Sequence, residues 1–180
     1  MTTERDELLG ALREATDRLA AAIARLAEDE VRGPSLLPGW TRGHLITHVA
    51  RNADALRNLL TWARTGVVTP AYAGPEEREA EIQAGAARTG PALRDDVRES
   101  ADVFAAEAAS LPAAAWDAEV SVLDGPLFPA RLLLPRRLTE VELHHTDLGV
   151  GYRSDDWTPE FTGLDLPEPM RAWREERRAW

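Results

Sequence analysis

The chain has 180 residues, 44% of them hydrophobic, and a formal charge of -10, which suits one domain able to bury a core and argues against nucleic-acid or anionic-membrane partners. It has no cysteine, which excludes disulfides, thiolate metal sites and a cysteine nucleophile, so any thiol chemistry must use a thiol from outside the protein. All 21 basic residues are arginine, which excludes a lysine Schiff base.

The opening stretch, MTTERDELLGALREATDRL, is charged and lacks the apolar segment of a signal peptide. No apolar run approaches the roughly 20 residues needed to span a bilayer. The expectation is a soluble, cytoplasmic chain. Residues 4–29 read as a first helix, with Leu8, Leu12, Ala15, Leu19, Ala22, Ile23 and Leu26 on one face. Gly33-Pro34 stops it. Residues 34–40 form a loop with two prolines and a glycine. Thr41 is a good N-cap for a second helix over residues 42–64, and Gly66 is its C-terminal stop.

Residues 66–90 form a long connection with a short helix near 75–85, the kind of segment that often makes a lid or a pocket wall. A third helix covers 91–110, begun by Pro91 and ended by Pro112. Residues 116–130 look extended. Val120 and Val122 alternate with polar residues, and Asp124-Gly125 is a hairpin-turn signal. A fourth helix spans about 130–148, interrupted or begun by Pro135. Residues 152–180 read as an irregular tail with a short final helix. Four long amphipathic helices with one long crossover imply an all-α fold, a four-helix bundle over 1–151 followed by a tail over 152–180.

The four histidines fall in two pairs, His44/His48 and His144/His145. Residues four apart on a helix share a face, so Glu140 and His144 project side by side, as do His44 and His48. A Glu-x-x-x-His pair plus one histidine from a facing helix supplies three ligands to one ion. Neutral imidazole and carboxylate suit zinc, and three protein ligands leave one position open. Nickel, iron and manganese suit the same donors. Helical spacing alone does not choose between His44 and His48, and two histidine pairs can also be plain surface residues. His145 is rotated by about 100° from His144, so the two do not share an ion.

Asn52, one turn past His48, is a candidate pocket residue. Asp147, three after His144, is a candidate for fixing an imidazole tautomer. Arg137, Arg136 and Arg51 lie within a turn of the candidate ligands. Each could bind a carboxylate or form an ordinary ion pair, and Arg137 is the one placed among the catalytic candidates with Asn52 and Asp147. Trp40 and Trp62 read as core or pocket-wall aromatics.

Two stretches, LPGWTRGHLITHVARNADALRNLLTWARTG (37–66) and RLTEVELHHTDLGVGY (137–152), resemble the mycothiol-dependent maleylpyruvate isomerase N-terminal domain family. The resemblance runs over roughly residues 5–160. It implies a DinB-like helical bundle with zinc held by His48, Glu140 and His144, and so favours His48 over His44. It also implies mycothiol as the external thiol cosubstrate and a small electrophilic acid as substrate, joined in cis–trans isomerisation or S-transfer. Family members carry a sterol-carrier-like C-terminal domain that adds an arginine to the active site. The 180 residues hold no counterpart, so a single-domain S-transferase stands beside a strict isomerase. The tail then closes over the pocket or supports a homodimer. Two other readings fit the same residues: a metal-dependent hydrolase, which would need no thiol, and a non-catalytic metal-binding protein.

Overall fold

The computed structural model describes residues 3–123 and 125–180. They form eight α-helices and a two-stranded ribbon. The four longest helices are α1 (Glu4–Ala24), α3 (Arg42–Thr65), α5 (Gly90–Ser110) and α6 (Leu133–Asp147). α1 packs against α5 and α6, and α3 packs against the same two. Leu12, Leu19, Ile23, Leu45, Leu59, Leu93, Phe104, Leu138 and Val141 fill the space between them. These residues recur at helical spacing, so each helix has one apolar stripe to bury, and the four stripes meet in one core.

The first helix is shorter than its apolar pattern. It ends at Arg25, and α2 (Glu28–Arg32) follows. The Glu30 carboxylate accepts from the Ala27 backbone N–H at 2.8 Å, opening a new helix where the spacing predicts continuity. Thr41 caps α3 through its hydroxyl, which accepts from the His44 N–H, and Gly66 ends that helix in the left-handed conformation. Thr89 caps α5, with Pro91 in its first turn. Pro135 sits in the first turn of α6, where a missing N–H leaves no bond unmade.

The crossover from α3 to α5 contains α4 (Pro75–Ala86), which packs on α3. Two glycines bring these helices together. A Cβ on Gly43 would lie 2.5 Å from the Ala86 carbonyl oxygen, and one on Gly85 would run into the Thr47 side chain. α4 is thereby held close over the segment of α3 that carries His48.

The extended region is smaller than the alternation suggests. A 3₁₀ turn at Ala113–Asp117 precedes strand β1 (Glu119–Val120), which pairs antiparallel with β2 (Phe128–Pro129). The predicted turn residue Asp124 lies outside the described residues. Residues 152–180 contain α7 (Pro159–Gly163) and α8 (Met170–Arg178). They are less irregular than their composition suggests, and Trp157, Phe161, Leu166 and Met170 are buried in the common core. The fully buried Glu142 carboxylate of α6 anchors this segment. It accepts from the Tyr152 hydroxyl at 2.6 Å, the Thr158 N–H at 2.9 Å and the Thr158 hydroxyl at 2.7 Å. Among the described residues, no helix is long and apolar enough to cross a membrane.

Candidate metal centre

Helix geometry places Glu140 and His144 one turn apart on α6, and the α3–α6 packing turns His48 toward them. Oε2 of Glu140 lies 3.1 Å from Nε2 of His48 and 3.2 Å from Nε2 of His144. The two imidazoles meet edge to face with centroids 4.8 Å apart. One donor atom from each residue falls within 4.8 Å of the others, and no other such group occurs among the described residues. The three line a cavity of about 340 Å³ with Arg78, Thr139, Leu143, Trp173, Glu176 and Arg177. Trp40 packs on His48 with ring centroids 5.4 Å apart.

The electrostatics are those of a tight polar cluster in a half-dry setting. Burial by itself would push the Glu140 carboxyl up, but hydrogen bonds with His144 and His48 outweigh it and hold it well below the usual carboxylate range. Burial also disfavours a charged His144, yet its bonds to Asp147 and Glu140 prevail and raise it to about 9. Burial lowers His48, and the Glu140 hydrogen bond only partly offsets this.

The donor set fits a divalent ion. Bonds of about 2.0–2.1 Å in tetrahedral geometry put neighbouring ligand atoms about 3.3 Å apart, close to the 3.1 and 3.2 Å seen here. Nδ1 of His144 lies 2.9 Å from Oδ2 of Asp147. In the neutral ring this directs the proton to Nδ1 and leaves the Nε2 lone pair to bind, the usual carboxylate–histidine support of a metal ligand.

A family model described as the mycothiol maleylpyruvate isomerase N-terminal domain matches residues 12–149. The chain belongs to that family. A solved structure of the mycothiol-dependent maleylpyruvate isomerase, and one of a histidine-to-alanine variant of it, each superpose with a TM-score of 0.82 at 36% identity. Each covers 89% of this chain and 69% of its own. No curated protein sequence matches the chain. The isomerase fold is thus the all-α, DinB-like architecture described above.

Within this isomerase-family bundle the other sequence candidates disperse. His44 stands at the start of α3, 2.6 Å from the Thr41 hydroxyl and 3.0 Å from the Gln83 side chain, away from the cluster. His145 points to a different face of α6 and stacks on Tyr152 at 3.6 Å. Burial, aided by Arg18 and Arg25, drives its pKa down to about 3.

Asp147 touches His144 as its spacing suggests. Asn52 and Arg137 do not line the cavity. Arg137 is fully buried and donates to the Val49 carbonyl at 2.7 Å and to Asn52 Oδ1 at 2.8 Å. The pair ties α6 to α3, with both side chains buried between the two helices. Burial lowers Arg137 to about 10, against the pull of the nearby Glu140 charge. Arg51 pairs with Asp96 and Asp54, and Arg136 stacks on Phe128 at 4.0 Å. Trp62 packs against the core.

Four pocket residues escape a reading by spacing. Arg78 arrives from α4, and Trp173, Glu176 and Arg177 from α8. Nη2 of Arg78 donates to Nδ1 of His48 at 3.1 Å. Among the described residues Arg78 has no carboxylate within ion-pair distance, and its guanidinium lies 5.6 Å from the Tyr72 ring centroid. The only signal in the sequence for these four is charge and aromaticity without periodicity, which does not point to a site.

Proposed function

We propose that this chain is a cytoplasmic, metal-dependent enzyme that uses an external low-molecular-weight thiol, mycothiol, on a small electrophilic, unsaturated acid. The reaction would be isomerisation or S-transfer. The observation that carries this reading is the meeting of His48, Glu140 and His144 at one cavity, in a bundle of the isomerase family. These three residues would hold the metal, zinc suiting the donors best.

Bound there, the ion would act as a Lewis acid and favour the thiolate over the thiol at neutral pH. The protein's own residues supply the rest. Asp147 orients His144. Leu143 and Trp173 give the cavity apolar walls, and Arg78 offers a cation for a carboxylate. The thiolate sulfur adds to the conjugated double bond, and the π pair moves onto the substrate's carbonyl system. Rotation about the resulting single bond follows. Return of the pair breaks the carbon–sulfur bond and releases thiolate and isomer. Retention of that bond, with a proton taken up at carbon, gives the S-conjugate.

The test is elemental analysis of the purified chain, then turnover of maleylpyruvate with and without mycothiol. One equivalent of metal and turnover strictly dependent on thiol support the reading. Thiol-independent hydrolysis would replace it with water activation at the same three residues.

A further inference from the structure

Asp147 ends α6 with no exposed surface. An acid at a helix C-terminus opposes the macrodipole, and a buried carboxylate without a cation is strongly disfavoured. Arg177 of α8 offsets both. It donates from Nε to Oδ1 at 3.0 Å and from Nη2 to Oδ2 at 3.2 Å, with its own side chain only 11% exposed. The same Oδ2 lies 2.9 Å from Nδ1 of His144.

A guanidinium only donates, so both Asp147 oxygens are fixed as acceptors. Nδ1 of His144 must then be the donor, and Nε2 is presented to Glu140 and the cavity. α8 lies beyond the residues matched by the family model, 12–149. Yet Trp173, Glu176 and Arg177, on one face of that helix, line the same cavity as the triad.

We propose that Arg177 is a positioning residue of the metal centre, acting through Asp147 on His144, and that α8 is thereby an integral part of the site. This rests on the reading of His48, Glu140 and His144 as metal ligands. Without Arg177 the buried Asp147 has His144 as its one remaining partner at the site. It is then free to turn away, which releases the ring and disfavours a metal bond at Nε2.

The experiment compares the wild-type chain with Arg177→Met and Arg177→Lys. Zinc affinity is read by competition with a chromophoric chelator, and thermal melts are taken in excess chelator. Arg177→Met is expected to weaken zinc about 10- to 100-fold, as loss of a ligand's supporting partner does. Arg177→Lys should recover part of that loss, because an ammonium restores charge but not the two-pronged geometry. If Arg177→Met does not fold, Arg177→Lys decides by itself: weaker zinc with a near-wild-type melt supports the assignment. Variants that bind zinc as tightly as a zinc-binding wild type would overturn it alone. A wild-type chain that takes up no zinc would overturn the reading of the triad as well.

Discussion

Arg78 and His48 are joined by a hydrogen bond that fixes the tautomer of the ring. The guanidinium has only donors, so Nδ1 of His48, 3.1 Å from Nη2, accepts. In the neutral ring the proton then sits on Nε2, facing Glu140 at 3.1 Å. A metal at Nε2 requires the opposite tautomer, with the proton at Nδ1. The Arg78 bond and a metal bond therefore compete for one imidazole. Replacing Arg78 by Met removes the competitor and a nearby positive charge. Zinc affinity of Arg78→Met should rise about 10-fold, a change of about 1.4 kcal/mol, measured by chelator competition. An unchanged or weaker affinity would contradict the competition.

Glu140 is the hinge of the cluster, since its Oε2 faces both imidazoles. Glu140→Ala and His144→Ala should each lose stoichiometric metal and thiol-dependent turnover together, by elemental analysis and assay. Glu140→Gln keeps the shape but not the charge. It should fold with a cooperative melt and bind zinc at least about 100-fold more weakly, as expected when one of three ligands is lost outright. Full turnover in any of the three variants would count against a metal-centred reaction.

The Glu140–His144 pair was legible in the sequence because four residues make one helical turn, whatever surrounds it. Spacing alone left the choice between His44 and His48 open, since both sit on one face of α3, and it was the family resemblance that favoured His48. Only the crossing of α3 with α6 brings His48 to Glu140 and leaves His44 at the N-terminal cap. Asn52 and Arg137 show the same limit from the other side. Each is within a turn of a ligand, yet the crossing points them at each other in the core instead of into the cavity. Arg78 and Arg177 come from helices whose contacts with the site depend entirely on tertiary packing. The helices themselves were mostly legible from periodicity. The break after Ala24 was not, because Arg25, Leu26 and Ala27 are all good helix formers and the interruption comes from Glu30 capping Ala27.

Acid should destabilise the protein through His145. Its folded pKa is depressed to about 3 from the ordinary 6.5 by burial. The unfolded chain therefore takes up a proton below pH 6.5 that the folded chain refuses. The contribution is fully present above pH 6.5 and is lost as pH falls toward 3, at about 1.4 kcal/mol per pH unit. His48, also depressed, adds to the loss. His144, raised to about 9, acts in the opposite sense: its contribution is full below pH 6.5 and disappears as pH rises through 9 in the metal-free protein. His145→Phe keeps an aromatic ring against Tyr152 and removes the titration. Urea unfolding at pH 7.5 and pH 5 should show the variant losing about 2 kcal/mol less than wild type. Parallel losses in the two proteins would rule out His145 as the acid-sensitive group.

Glu142 should separate two kinds of substitution. Its Oε1 accepts from both the N–H and the hydroxyl of Thr158, and its Oε2 from the Tyr152 hydroxyl. Tyr152 has a second acceptor available, the Asp156 carbonyl at 3.0 Å. In Glu142→Gln the amide oxygen can face Thr158 while the amide nitrogen donates to the Tyr152 oxygen, whose proton turns to Asp156. The Thr158 and Tyr152 donors stay satisfied and one amide N–H of the new side chain is left without a partner, so the loss should be about 1 to 2 kcal/mol. Glu142→Leu leaves the Thr158 N–H and hydroxyl buried without an acceptor and should lose about 3 kcal/mol or more. It also loosens the segment that carries α8, so zinc affinity should fall with Leu and hold with Gln. Equal effects of Gln and Leu on denaturant midpoint and zinc binding would show that Glu142 does not anchor the C-terminal segment through these bonds.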